Sequence, residues 1–433
     1  RAARVPPRTL DALTEQLVRR GLATPTPWGM QVPPSLVTAL QRRARRAGRD
    51  RAHQAAMAQA LSQLGGDPLS VGRCWMDAGE IERGAAIVLD GLPRVVRAHG
   101  IGIAVGVLAD LEERLASFPL QEQLHGRTRV QRLLLDQEHR GRVEATTAEA
   151  TVRWALAQGW YDVAARAVRL HAWTVTLDQH ALNEVYAAAD QQFLAKCSPG
   201  ARARLLQAWY LRLERFADPR RDAIFDRIVC DVDLAHQEEL SDDERHDLEL
   251  VAAVTRRARL LRDPPDQELL EVARRCVSLS RQTGSAHLCL DLVELGHAHQ
   301  KLQQFVEADR AYAEAAWTGR WLGIPRAETF ATGNRAGLAI LQGDWERAHE
   351  LAQRALVGAN HAYLQAVLEL FCLVRAAVAG RAHEVFQVLE RIGPELAKVR
   401  PIDEEVDAAL VAIGDALDGV APDVVALART MRS

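Results

Sequence analysis

The chain has 433 residues, 48% of them apolar and 26% charged, with a net charge of −3. That length exceeds what one core serves, so several domains or a repeat array are expected, and the apolar content excludes a mostly disordered chain. No apolar run approaches the roughly 20 residues that cross a bilayer. Arg1 to Arg8 lacks the apolar segment of a secretory signal, and the absence of an initial Met points to a fragment or a processed chain. The six cysteines, Cys74, Cys197, Cys230, Cys276, Cys289 and Cys372, form no C-x-x-C pair. They read as reduced core thiols of a cytoplasmic protein. Only Lys196, Lys301 and Lys398 are lysines, so arginine supplies 51 of the 54 basic residues. A GC-rich genome accounts for that bias more simply than phosphate recognition does.

The first residues stand apart in charge. Residues 1–54 hold eleven Arg against Asp11, Glu15 and Asp50, a balance of about +8 that leaves about −11 on the rest. A helix is predicted from Arg8 to Arg20, stopping at Gly21, and another from Ser35. Between them Leu22-Ala23-Thr24 and Met30-Gln31-Val32 are expected to pair as short strands around Pro27-Trp28-Gly29. Helix, hairpin and helix form the ending of a winged-helix unit, with an irregular loop as the alternative. The following run, Arg42, Arg43, Arg45, Arg46 and Arg49, is either a phosphate-binding face for nucleic acid or a solvated helix face paired with acidic neighbours.

From there helix formers dominate and strand-type alternation is nearly absent, so the expected fold class is all-α. Thr146-x-x-Glu149 and Ser241-x-x-Glu244 read as capping boxes, and Asp67-Pro68 and Ser198-Pro199 as caps before a first-turn proline. A short punctuation recurs: Gly79-Glu80-Ile81, Gly159-Trp160-Tyr161, Gln303-Gln304-Phe305 and Gly343-Asp344-Trp345, each with a small residue three positions further on. A fainter copy begins at Gly380. From Gln303 to Gly343 is 40 residues and from Gly79 to Gly159 is 80. A period near 40 describes stacked helical hairpins, an α-solenoid. The signal fades between about 196 and 282.

The best-formed unit, Leu292-x-x-Leu295-Gly296-x-x-His299 followed by Ala308-x-x-x-Tyr312 and Ala315, resembles the tetratricopeptide (TPR) pattern. Leu292 replaces the usual Trp, His299 the usual Tyr, and the closing Pro is missing. The order of parts adds a second resemblance. A winged-helix-like end, the Arg-rich helix, His53-Gln54-Ala55-Ala56 and the hairpin at Cys74 to Arg83 are together similar to the middle of large ATP-binding LuxR-type bacterial activators of the maltose-regulator kind. That resemblance implies a winged helix feeding a TPR-like sensor. Two of the family's parts are missing: no lysine follows a glycine, so no phosphate loop can be written, and Pro422 to Ser433 holds no helix-turn-helix. Nucleotide and DNA binding by those parts are therefore not implied.

Catalytic chemistry is not legible. No G-x-S-x-G elbow and no metal-ligating set appear, and His297 and His299 point to different sides of a helix. The aromatic groups Trp154/Trp160/Tyr161/Trp173, Trp209/Tyr210 and Trp317/Trp321 read as packing between hairpins, with a ligand cage as the sharper alternative. The sequence thus predicts a winged-helix-like basic segment over 1–54 and a TPR-like solenoid over 55–433, without enzyme activity or cofactor. Its expected role is the sensor or interaction scaffold of a cytoplasmic transcription regulator, with possible self-association and no membrane contact. Inner-helix positions expected to meet an effector or partner protein are Arg153, Val293, His297, Gln300, Gly337 and Ile340. The alternative is a nucleic-acid-binding protein acting through the arginine run.

Overall fold

The turn residues marked by the sequence all adopt the left-handed backbone: Gly79 at φ 95°, Gly159 at 75°, Gln303 at 57°, Gly343 at 73° and Gly380 at 72°. Each lets the amides after a helix fold back onto its last carbonyls. The Gly343 amide donates to Ile340 O (3.0 Å) and that of Asp344 to Ala339 O (2.9 Å), closing one helix where the next must start. Gln303 does the same without glycine's freedom, at a strain of about 1–2 kcal/mol.

The computed structural model describes residues 15–26, 29–116, 122–140, 143–174, 179–215, 218–237, 242–260, 266–285, 287–359, 361–397 and 403–432. The chain forms two compact units, one from 1–98 and 106–132, the other from 99–105 and 133–433. In the first, residues 15–19 are helical and Gly21, at φ 65°, ends the turn. Strands β1 (Thr24–Thr26) and β2 (Gly29–Gln31) pair antiparallel, with Thr24 opposite Gln31 and Thr26 opposite Gly29. The hairpin is therefore tighter than the sequence placed it, with β1 two residues later and β2 one earlier. Helices α1 (Pro34–Arg46), α2 (Asp50–Gln63), α3 (Pro68–Asp77), α4 (Ile81–Asp90) and α5 (Leu92–His99) follow; α6 (Ile101–Ala116) and α7 (Glu122–Arg140) are each divided, with 101–105 and 133–140 in the second unit. Asp67 caps α3 as expected, its Oδ2 accepting from the Ser70 amide at 3.1 Å. Helices α3 and α4 cross where Gly72 meets Gly84; a Cβ on Gly72 would lie 2.7 Å from Gly84 O.

The second unit is a TPR-like solenoid of antiparallel helical hairpins: α8 (Ala145–Ala157) with α9 (Tyr161–Thr174), α11 (Pro199–Arg215) with α12 (Arg221–Ala235), α13 (Asp242–Leu260) with α14 (Asp266–Thr283), α15 (Leu288–Lys301) with α16 (Phe305–Leu322), α17 (Pro325–Leu341) with α18 (Trp345–Leu356), α19 (Ala362–Val378) with α20 (Ala382–Leu396), and α21 (Glu404–Ala416) with α22 (Pro422–Arg432). Helix α10 (Gln179–Gln192) lies between the first two pairs. First helices stack in a row, α15 on α17, α17 on α19 and α19 on α21, and α21 also reaches back onto α17. One apolar core runs through the last three hairpins, from Ala336 and Ile340 through Leu368, Phe371 and Leu389 to Ile413 and Val425. Burying each such large side chain contributes about 1.5–3 kcal/mol.

Arginine–carboxylate pairs join neighbouring hairpins: Arg204 with Asp247, Arg281 with Glu314 (2.6 Å), Arg347 with Asp309 (2.8 Å) and Arg375 with Glu346 (3.3 Å). Where the sequence signal fades, the α11–α12 turn is built on Asp218, whose Oδ1 accepts from the Arg220 amide at 2.9 Å, in place of a glycine.

Several expectations are corrected. The Thr146 capping box does not form, because α8 already starts at Ala145, with no side-chain bond from the residue before it. Ser241 lies outside the described residues, whereas Ser198 caps α11 through the Ala201 amide at 3.3 Å. Cys230 is exposed and Cys74 and Cys372 are half-buried, so only Cys197, Cys276 and Cys289 are core thiols. Trp317 and Trp321 are 62% and 57% exposed and stack on each other, centroids 5.9 Å apart. One helical turn of α16 holds both on its solvent side, so this pair does not fill space between hairpins.

Candidate functional site

The row of first helices gathers a continuous set of polar side chains. At its base, Arg257 on α13 donates to Asp291 Oδ1 on α15 (2.6 Å), and Ser280 Oγ on α14 donates to Asp291 Oδ2 (2.5 Å), all three buried. Burial works against the Arg257 charge, but Asp291 and Glu294 hold its pKa above the ordinary value. One turn on, Glu294 lies 3.7 Å from His297 Nδ1, and His297 Nε2 lies 3.2 Å from Asn334 Nδ2 on α17. With the amide as donor to Nε2, the imidazole proton sits on Nδ1, facing Glu294. Burial lowers the His297 pKa, yet Glu294, with Glu405 and Asp403 behind it, leaves it above its ordinary value.

The next turn binds three helices together. Tyr312 of α16 donates its hydroxyl to Gln300 Oε1 at 3.0 Å, and Gln300 Nε2 donates to Glu405 at the start of α21. The chain comes this close because residue 296 is glycine. A Cβ there would lie 2.3 Å from Tyr312 Cε1, so the ring lies flat on the α15 backbone. Gly337 plays the matching part on α17, where a Cβ would meet Glu405 Cγ at 3.0 Å. The acidic first turn of α21 therefore rests on the inner surface of α15 and α17, and Tyr363 on α19 donates to Asp403 at 3.1 Å.

Three of the positions singled out from sequence, His297, Gln300 and Gly337, are thus brought together, with Glu405 beside Gln300 and Gly337. Val293 and Ile340 are buried in the apolar cores and offer no surface to a ligand. Arg153 is exposed on α8 and paired with Glu149 of its own helix at 3.4 Å, apart from the other five. Sequence reasoning missed Glu405, Asn334, Tyr312 and Tyr363. The Leu295-Gly296 and Tyr312 motif positions signalled one of these contacts; nothing local announces Glu405, 105 residues from Gln300.

In the first unit, Arg42, Arg43, Arg46 and Arg49 are exposed on and just after α1, and among the described residues none of them pairs with a carboxylate. The side chain of Arg45 lies outside the described residues. Among the described residues no group of His, Cys, Asp and Glu could hold a metal ion, and no helix is long and apolar enough to cross a membrane.

The fold and the inner row define the class, a TPR-like helical-repeat protein. No protein-family model matches the chain, and no curated protein matches it. Solved structures align with the chain at low identity. A Rap protein complexed with competence and sporulation factor aligns at 11% identity and TM-score 0.48, covering 81% of this chain and 96% of that one. Aspartyl phosphate phosphatase F from Bacillus subtilis aligns at 9% and 0.45, covering 80% and 91%. A signal transduction ATPase with numerous domains and a tetratricopeptide repeat sensor, from Pyrococcus horikoshii, aligns at 10% and 0.40; it covers 99% of this chain, which spans 58% of its length.

Proposed function

We propose that this chain is the sensor or protein-interaction scaffold of a bacterial transcription regulator, on the plan of the large ATP-binding LuxR-type activators. It acts without chemistry of its own, in the cytoplasm, and binds an effector or partner protein on the inner row of the solenoid. The observation that carries this reading is the convergence of His297, Asn334, Gln300, Tyr312 and Glu405, supplied by four helices that any change of curvature would move relative to one another. A ligand touching several of them would favour one curvature over another, which is how a repeat array passes a signal. Residues 1–54, with their strand hairpin, serve in this reading as a winged-helix-like basic segment and 55–433 as the sensor, with self-association as a further output.

The test compares capture from lysate by the intact chain and by a His297→Ala/Asn334→Ala chain of unchanged far-UV circular dichroism. A molecule retained by the first and lost by the second supports the reading. Equal capture by both refutes it. One observation favours a second reading, nucleic-acid binding: the four exposed arginines have no carboxylate partner among the described residues. Duplex DNA affinity that falls steeply with salt, and is lost in Arg42→Ala/Arg43→Ala/Arg46→Ala, would carry it.

A further inference from the structure

Helix α9 packs much of its circumference into the core through Val163, Ala164, Ala165, Ala167, Val168, Leu170 and Ala172. Asp162, Arg166 and Arg169, one and two turns apart, share the remaining face and are half-buried. Arg169 stands toward the inner edge of that face. Its Nε is closed off from solvent and has no hydrogen-bond partner among the described residues. Four other helices send polar groups into its electrostatic reach, namely Glu138 of α7, Tyr186 of α10, Arg204 of α11 and Asp247 of α13.

The two nearby carboxylates are engaged elsewhere. Asp247 Oδ2 takes the Nε of Arg204 at 2.7 Å as well as its Nη2. Glu138 lies 3.7 Å from His287 Nε2. Burial, joined by the like charge of Arg204, pushes the Arg169 guanidinium down against Tyr186, Asp247 and Glu138, which raise it. Buried charges are paired as a rule, since desolvating an unpaired one is costly, and a guanidinium fork fits one anionic group edge-on. The residue as a whole is half-buried rather than sealed.

We propose that Arg169 is the anchor of an oxyanion-binding site among α7, α9, α10, α11 and α13, taking the carboxylate or phosphate group of a ligand. The site shares no residue with the His297–Gln300–Glu405 set, and it stands whether or not that set binds a partner.

The test is the melting temperature of the full chain at constant ionic strength, with sodium phosphate, sodium acetate or sodium chloride as the probe. The partner variant is Arg169→Met, which keeps the volume of the side chain and removes its charge. Without an oxyanion the variant is expected to melt at or above the wild-type temperature, because an unpaired charge has left the interior. Phosphate or acetate should raise the wild-type melting temperature by a few degrees, saturably and beyond chloride, and leave Arg169→Met unmoved. Whichever salt acts identifies the ligand group as phosphate or carboxylate. No rise with either salt, or an equal rise in both proteins, overturns the proposal. So does a variant that melts well below wild type in chloride, since Arg169 would then be paired within the fold.

Discussion

Replacing Gly296 by alanine puts the contact between α15 and α16 under a measurable load. The added Cβ would lie 2.3, 2.5 and 2.8 Å from Cε1, Cδ1 and Cζ of Tyr312. Tyr312 is fully buried, so its ring has no free direction in which to retreat. Overpacking of this kind costs about 1–3 kcal/mol. A ring displaced by on the order of 1 Å also loses its 3.0 Å bond to Gln300, about 1 kcal/mol more. Alanine's better helix propensity returns about 1 kcal/mol, leaving a net loss of about 1–3 kcal/mol. Urea unfolding followed by far-UV circular dichroism measures the total, and hydrogen exchange localises it to α15 and α16. The decisive control is Gly296→Ala/Tyr312→Leu, which should be hardly less stable than Tyr312→Leu alone, because the smaller side chain leaves room for the methyl. A single-variant loss below about 0.5 kcal/mol, or additivity in the double variant, would refute the reasoning.

Three further outcomes are expected. Burial raises the Glu294 carboxyl, but His297 and Arg257 overcome that and bring it to about 2, below its ordinary 4.5. Its contribution is therefore full above pH 4.5 and is lost as pH falls toward 2, whereas that of His297, whose pKa is raised, is full below pH 6.5 and fades as pH rises. Glu294→Gln should flatten the acid limb of melting temperature against pH, and an unchanged limb would remove this pair as a source of stability. Arg257→Ala strands the buried Asp291 carboxylate and should cost about 3–5 kcal/mol by urea unfolding, with Arg257→Met/Asp291→Leu far milder. Iodoacetamide should modify the exposed Cys230 of the native chain first, because burial pushes the Cys276 thiol up to about 11 and Cys197 and Cys289 up to about 12. Mass spectrometry reads the order, and equally fast labelling of Cys276 would mean the core opens.

The hairpins were legible because their turns carry residue types that the backbone requires. Gly79, Gly159, Gly343 and Gly380 are positions where an L side chain is strained, and Gln303 was legible only through its neighbours Gln304, Phe305 and Ala308. Gly419, at φ 73°, escaped notice because no aromatic residue follows it. The α11–α12 turn escaped because a carboxylate cap serves there instead of glycine. Glu405 and Arg169 could not be read at all. The first acts through a helix that doubles back across the row, and the second through side chains from four other helices. Such non-local convergence leaves no local pattern. Val293 and Ile340 are buried, since neighbouring hairpins pack over their faces of the first helices.

The arginine–carboxylate links between hairpins bear on how the array opens. Each exposed pair stabilises by about 0–1 kcal/mol, and salt at physiological strength shortens the reach of such pairs to about 8 Å. Screening by a simple salt such as sodium chloride acts mainly on these charged links: Arg204–Asp247, Arg281–Glu314, Arg347–Asp309 and Arg375–Glu346. In a one-dimensional array the joint energy determines how far a local opening spreads before it stops. Concentrated salt should therefore loosen the Arg204–Asp247 and Arg281–Glu314 joints more than those within the last three hairpins, which share one apolar core.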